Sequence, residues 1–307
     1  MKRILTTIAV LMTTQAIPDA AAQAGGSFEW ATYSGAEGSR RYKLFVPAGL
    51  DASKPAPLVV MLHGCTQDPD DFARGSRFNQ AAAASGVLVA YPEQPSANHA
   101  QKCWSWYDAA HQGRGGEPAV IAAITREVMA KHAVDSARVY VGGVSAGGAM
   151  AVNVAASYPE LYAAAGAHSG AAYRAAANVM AALGAMKTGA AEPDSLAGAA
   201  RAALGERVMP VIAIHGAADA VVAPINGRQL ASQFAVAAGA KDALVEERTE
   251  GGRKVEVRRY GQHHELWVID GLGHAWSGGS PEGTYTDPQG PDATREMLRF
   301  FLAHRKP

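Results

Sequence analysis

The chain has little cysteine: Cys65 and Cys103 are the only two among 307 residues. Two are too few for a disulfide-dense scaffold, and their spacing is not that of a zinc site. The histidines are scattered through the chain, so no metal and no cofactor is implied. Charge of one sign is equally scarce, with 28 Lys+Arg against 28 Asp+Glu and a formal net charge of zero. No basic stripe stands out, which argues against nucleic acid or an anionic membrane as the main partner. No Pro-, Thr- or Ser-rich linker, internal repeat or second hydrophobic span interrupts the chain. A single domain over 25–307, acting as a monomer without stable membrane association, is the expectation.

The first residues differ in character from the rest. Lys2 and Arg3 precede a mostly apolar run from Ile4 to Ile17, and Ala22-Gln23-Ala24 supplies a small-residue cleavage site. This pattern predicts a signal peptide over 1–24, removed on passage to the periplasm or exterior. An uncleaved anchor is the alternative, but the run is short and broken by threonines. In such a compartment the cysteine pair predicts one disulfide, two buried thiols being the alternative.

Beyond the leader, "RRYKLFVP" alternates polar and apolar residues as a half-buried strand does. The runs "PLVVMLHG", "GVLVAYP", "ARVYVGG", "YAAAGAHSG", "MPVIAIHG" and "ELWVIDG" are nearly continuous apolar stretches, the signature of strands buried on both faces. Helical stretches separate them: Asp70 to Ser85, Pro118 to His132, Ala146 to Ser157, Asn226 to Ala238 and Asp292 to His304. Strands alternating with helices predict an α/β fold with a doubly wound, mostly parallel sheet and helices on both faces. Within 171–207, two alanine-rich helices form either a small cap over the site or an elongated crossover. The stretch "EERTEGGRKVEVRRYGQHHELWVI" predicts two strands joined across a polar turn.

In open α/β sheets, sites form beyond the carboxyl ends of the strands. At one such end stands "RVYVGGVSAGGAM", four glycines around Ser145. Gly143-Val144-Ser145-Ala146-Gly147 fits G-x-S-x-G, a sharp strand-to-helix turn that exposes a serine hydroxyl. A serine needs a base to take its proton and a third group to orient that base. Of ten histidines, His274 in "DGLGHAWSGG" lies in a glycine-flanked loop after the last apolar strand. The acid belongs between serine and histidine in chain order, and Asp219 in "IHGAADAVVAP" follows a strand end. Asp270 is the rival, but it stands only four residues before His274. His215 reads as a strand-end hydrogen-bonding residue rather than a base.

Acyl transfer also needs N–H donors for the developing oxyanion. The residue after the nucleophile, Ala146, supplies one. The loop "LHGCTQ" after an earlier strand supplies the second, best placed at Cys65, with His63 bracing the turn. A Cys65–Cys103 disulfide ties this loop to "CWSWYD". Trp104, Trp106 and Trp276 then become candidates for a substrate-binding wall, with core packing as the alternative.

Taken together and in order, "LHGCTQ", "KCWSWYD", "GGVSAGGAM", "HGAADAVVAPING" and "GHAWSGG…GTYTDPQGPDATREMLRFF" resemble the secreted poly(3-hydroxybutyrate) depolymerases and their feruloyl and acetylxylan esterase relatives. The resemblance runs from about Arg41 to Phe301. It implies an α/β-hydrolase fold, Ser145 as nucleophile, Asp219 and His274 as its partners, and Cys65 as an oxyanion donor within a disulfide. As substrate it implies a polyester of short hydroxyacids or its soluble oligomers, a carbohydrate-linked ester being the alternative. Depolymerases of crystalline polymer carry a linker and a binding domain after the catalytic domain, and this sequence ends at Pro307. Oligomers and amorphous polymer are therefore the expected substrates.

Overall fold

The computed structural model describes residues 25–51, 53–240 and 242–307, so the expected signal peptide lies outside the described residues. The apolar runs form the parallel centre of a ten-stranded sheet in the order β1-β2-β4-β3-β5-β6-β7-β10-β9-β8. The parallel strands are β3 (Ala56–Leu62), β4 (Leu88–Pro92), β5 (Val134–Val144), β6 (Ala164–His168), β7 (Val211–Gly216) and β10 (His264–Ile269). Two antiparallel edges flank them. One is the hairpin of β1 (Gly26–Gly35) and β2 (Gly38–Pro47), the other β8 (Leu244–Glu250) and β9 (Arg253–Tyr260).

Every residue of β3 is buried, because both faces of the sheet are covered. Alternate side chains leave a strand on opposite faces. Leu58, Val60 and Leu62 accordingly join the core that holds Ile121, Met150 and Leu230 on one side, while Val59 and Met61 join the one that holds Phe72, Phe78 and Phe301 on the other. The first side is covered by α3 (Gly116–Lys131), α4 (Ala146–Ser157) and α7 (Ile225–Ala237). The second is covered by α1 (Pro69–Ser76), α2 (Phe78–Ser85) and α8 (Ala293–Leu302). Burying a large apolar side chain stabilises by about 1.5–3 kcal/mol, and the continuous runs provide many of them. Two more helices, α5 (Val179–Thr188) and α6 (Pro193–Leu204), fill the alanine-rich segment.

Three departures from the sequence expectation have local causes. The helix expected over Asp70 to Ser85 is two helices, broken where Arg77 turns left-handed at φ 55°. The guanidinium of Arg77 donates to Gly278 O, which ties the break to a distant loop. The segment 244–269 holds three strands rather than two. Gly251 and Gly252, at φ 56° and 82°, make the first turn, and Gly261 at φ 60° makes the second. The strand β1 was not expected. Its register places Phe28 opposite Phe45 in the core and leaves Trp30 half-exposed, so its pattern is only partly apolar.

Candidate active site

Ser145, Asp219 and His274 follow β5, β7 and β10, so parallel pairing brings three distant segments to one edge of the sheet. The backbone at Ser145 has φ 55° and ψ −123°, a conformation that persists only where its surroundings impose it. Here the imposition is contact between backbones. A Cβ on Gly143 would lie 2.5 Å from Leu62 O, and one on Gly147 would lie 2.2 Å from the same oxygen. The end of β3 thus packs directly against the turn, and the two glycines make room for it. Ser145 N–H donates to His168 O at 2.8 Å, fixing the peptide on the other side.

Asp219 Oδ2 lies 2.7 Å from His274 Nδ1, and His274 Nε2 lies 2.9 Å from Ser145 Oγ. A carboxylate beside Nδ1 assigns the proton to that nitrogen, which leaves Nε2 to accept from the serine hydroxyl. The other carboxylate oxygen, Oδ1, accepts from Val221 N–H and Val222 N–H, each at 2.9 Å. Burial pushes the Asp219 carboxyl up, but the hydrogen bonds from His274 and Val222 N–H outweigh it and hold the group below its usual range. An ionised acid, an oriented imidazole and a half-buried hydroxyl that borders a cleft stand in line, the arrangement that nucleophilic acyl transfer requires. Asp270, the rival acid, makes no contact of this kind, and its carbonyl accepts from Arg253.

The loop after β3 stands opposite. Gly64 N–H donates to Gln67 Oε1 at 2.9 Å and Thr66 N–H to Gln101 O at 2.6 Å, so the N–H groups on either side of Cys65 are engaged. Cys65 and Ala146 both border the space in front of Ser145. Cys65 and Cys103 are joined in a disulfide across 38 residues. His63 lies behind the loop. It accepts from Gln94 N–H at Nε2 (3.0 Å), so its Nδ1–H donates to Gly64 O (2.7 Å). Burial pushes the His63 imidazole down to about 4, which keeps it neutral in this role.

Of the three tryptophans expected to face substrate, only Trp106 borders the site, and the other two are corrections. Trp104 is 1% exposed, and its indole N–H donates to His63 O at 3.1 Å from within the core. Trp276 is 2% exposed, stacked on His168 and packed edge-on against Phe72, with its N–H on Thr294 Oγ1. Both polar tips are satisfied inside the protein, so neither ring can turn outward cheaply.

A cleft of about 500 Å³ opens over Ser145 and His274. Its walls include Tyr107, Leu183, Met186, Val221 and Tyr285, none of which the sequence reading singled out. Leu183 and Met186 come from α5, which places the first helix of the expected cap segment at the mouth of the cleft. A smaller recess of about 50 Å³ adjoins Ser145 and Ala146. Among the described residues no helix is long and apolar enough to cross a membrane.

A mostly parallel sheet with helices on both faces and a serine at a glycine-bounded strand-to-helix turn is the α/β-hydrolase fold. Residues 40–259 match the family model described as esterase PHB depolymerase, and the chain belongs to that family. It is 34% identical over 253 residues to poly(3-hydroxyalkanoate) depolymerase C of Paucimonas lemoignei, covering 79% of this chain and 58% of that protein. It is 30% identical over 203 residues to feruloyl esterase B of Thermothelomyces thermophilus, covering 62% of this chain and 68% of the esterase. The chain thus spans little more than half the length of the depolymerase. Among solved structures, acetyl xylan esterase from Aspergillus awamori superposes with a TM-score of 0.74 at 23% identity, over 90% of this chain and 99% of that one. That likeness shows the fold.

Proposed function

We propose that the protein is an exported serine esterase that hydrolyses short-chain hydroxyalkanoate esters through an acyl-enzyme on Ser145. The observation that carries this reading is the unbroken line from Asp219 through His274 to Ser145, with contacts of 2.7 and 2.9 Å. His274 Nε2 takes the hydroxyl proton as Ser145 Oγ bonds to the ester carbonyl carbon. The carbonyl oxygen gains negative charge and is met by the N–H groups of Cys65 and Ala146. Collapse breaks the bond to the alcohol oxygen, which receives the proton from His274. Water then repeats the sequence, with His274 as base, and releases the acid from Ser145.

Export accords with the Cys65–Cys103 disulfide, a bond that persists in oxidising compartments. The similarity to depolymerase C supports a hydroxyalkanoate ester as substrate. A second reading, a carbohydrate-linked ester, is favoured by the similarity to feruloyl esterase B. Hydrolysis of a 3-hydroxybutyrate dimer, amorphous polyhydroxybutyrate and methyl ferulate, measured side by side, separates the two. Faster turnover of the dimer is expected, and preference for methyl ferulate would move the protein to the second class. A fluorophosphonate probe should label Ser145, and labelling elsewhere would refute the nucleophile.

A further inference from the structure

The two cavities at Ser145 are not equivalent. His274 borders the cleft of about 500 Å³ but not the recess of about 50 Å³, whereas Cys65, Ser145 and Ala146 border both. During ester cleavage the departing alcohol oxygen must reach His274 for its proton, so the alcohol side of the substrate lies in the cleft. The carbonyl oxygen sits between the two N–H donors. The acyl substituent then points away from His274, toward the recess. A volume of that size holds about three or four water-sized atoms. Its walls are mostly apolar, formed by Trp106, Ala149, Ala171, Met186 and Val222.

One polar side chain borders this recess besides the nucleophile. Ser169 is fully buried and sits at φ 52°, a left-handed conformation for a residue other than glycine. Its hydroxyl has a defined polarity. Ser277 N–H donates to His168 Nε2 at 3.2 Å, so the remaining ring proton is on Nδ1. That proton faces Ser169 Oγ at 3.1 Å, and the serine oxygen therefore accepts. Its own proton stays available, and among the described residues no side-chain or backbone acceptor takes it. A buried donor without an acceptor is costly, and a ligand oxygen in the recess would relieve that cost.

We propose that the recess is the acyl-side subsite, sized for acyl groups of about two to four carbons, and that Ser169 sets specificity by donating its hydroxyl to an oxygen on the third acyl carbon. The inference rests on the esterase reading above and narrows its substrate. An acetyl or butyryl group fits the recess. A 3-hydroxybutyryl group fits and also satisfies Ser169. A cinnamoyl-type group or a long fatty acyl chain exceeds the space.

The test uses p-nitrophenyl esters, which share one leaving group: acetate, butyrate, 3-hydroxybutyrate, octanoate and ferulate. Rates are compared as ratios within one preparation, so a partly unfolded variant does not distort the result. For the wild-type enzyme kcat/KM on butyrate should exceed that on octanoate and ferulate by at least about tenfold. In Ser169→Ala the ratio of 3-hydroxybutyrate to butyrate should fall by about tenfold, the effect of one lost hydrogen bond. Met186→Ala should raise the ratio of octanoate to butyrate. Equal wild-type rates across acyl lengths would overturn the subsite, and an unchanged ratio in Ser169→Ala would overturn the role of that serine. No hydrolysis of any ester would sink the esterase reading itself, a result distinct from indifference to acyl length.

Discussion

The imidazole of His215 lies 3.5 Å from the carboxylate of Asp219, yet it donates its Nε2–H to Val222 O at 2.8 Å. Burial pushes the His215 ring down in pKa, so it stands beside the carboxylate as a neutral group. Its effect is on geometry. Val222 N–H is one of the two donors to Asp219 Oδ1, so His215 clamps the turn that holds the acid. On the ring's other side, a Cβ on Gly227 would come within 2.7 Å of Nδ1, leaving the imidazole no room to retreat.

His215→Leu should therefore slow the chemical step without weakening substrate binding. A misplacement near 1 Å can cost about 100-fold in rate, so kcat is expected to fall by roughly 10- to 100-fold with KM nearly constant. A rise in KM at unchanged kcat would show that the clamp does not act through Asp219.

The line from Asp219 to Ser145 makes a sharper prediction. Ser145→Ala should abolish ester hydrolysis with little change in melting temperature, since the hydroxyl's contact is with His274 in the cleft. Asp219→Asn should lower kcat by about 10⁴, the size seen when the equivalent acid of a serine protease is neutralised. Either variant retaining more than about a tenth of wild-type activity would contradict the assignment.

Cys103→Ser removes the disulfide while leaving the backbone N–H of Cys65 chemically intact. The loop from Gly64 to Thr66 then relies on its hydrogen bonds with His63, Gln67, Gln101 and Tyr285, with no covalent tie. We expect a lower kcat at temperatures where the variant is still folded, and the same loss on reducing the wild-type protein. Full activity in both preparations would remove the disulfide from any role in positioning the donor.

The tryptophans should divide by their surroundings. Trp276→Ala and Trp104→Ala empty packed core space, and each should cost about 3–5 kcal/mol of stability. Trp106→Leu, at the border of both cavities, should change KM more than stability. A large KM effect in a folded Trp276 variant would reopen its place at the substrate.

Buried histidines set the acid limit of the fold. Burial holds His63 at about 4, His168 at about 3 and His264 at about 4, against about 6.5 in an unfolded chain. Between those values the unfolded chain binds protons that the folded protein refuses. Stability is thus complete above about pH 6.5 and is lost as pH falls toward 4, by about 1.4 kcal/mol per pH unit for each ring. Thermal melts from pH 4.5 to 7.5 should show a falling melting temperature below pH 6.5. A flat profile would mean that these rings charge without unfolding.

The nucleophile turn was legible because its glycines answer a steric demand. Gly143 and Gly147 face the carbonyl of Leu62, and no other residue fits there. Asp219 and His274 were legible because each follows an apolar strand and the parallel order fixes which strand ends meet. Two of the three tryptophans were not, since a loop residue's neighbours depend on how the chain folds back over it. Trp104 and Trp276 are held inside by His63 O and Thr294, partners 41 and 18 residues away. The break at Arg77 had no signal, because a left-handed arginine looks like any helical arginine in sequence. Ser169 stood in plain view in "AHSG", but its free proton follows from a hydrogen bond between His168 and Ser277, which lie 109 residues apart.

The bond between Cys65 and Cys103 joins positions 38 residues apart in the chain, and its reach is wider than the loop it ends on. A cross-link removes conformations from the unfolded ensemble, and closing a loop of that length contributes roughly 4 kcal/mol of stability in the chain-entropy model. Resistance to heat and the order of the cleft wall at Cys65 therefore depend on one covalent bond.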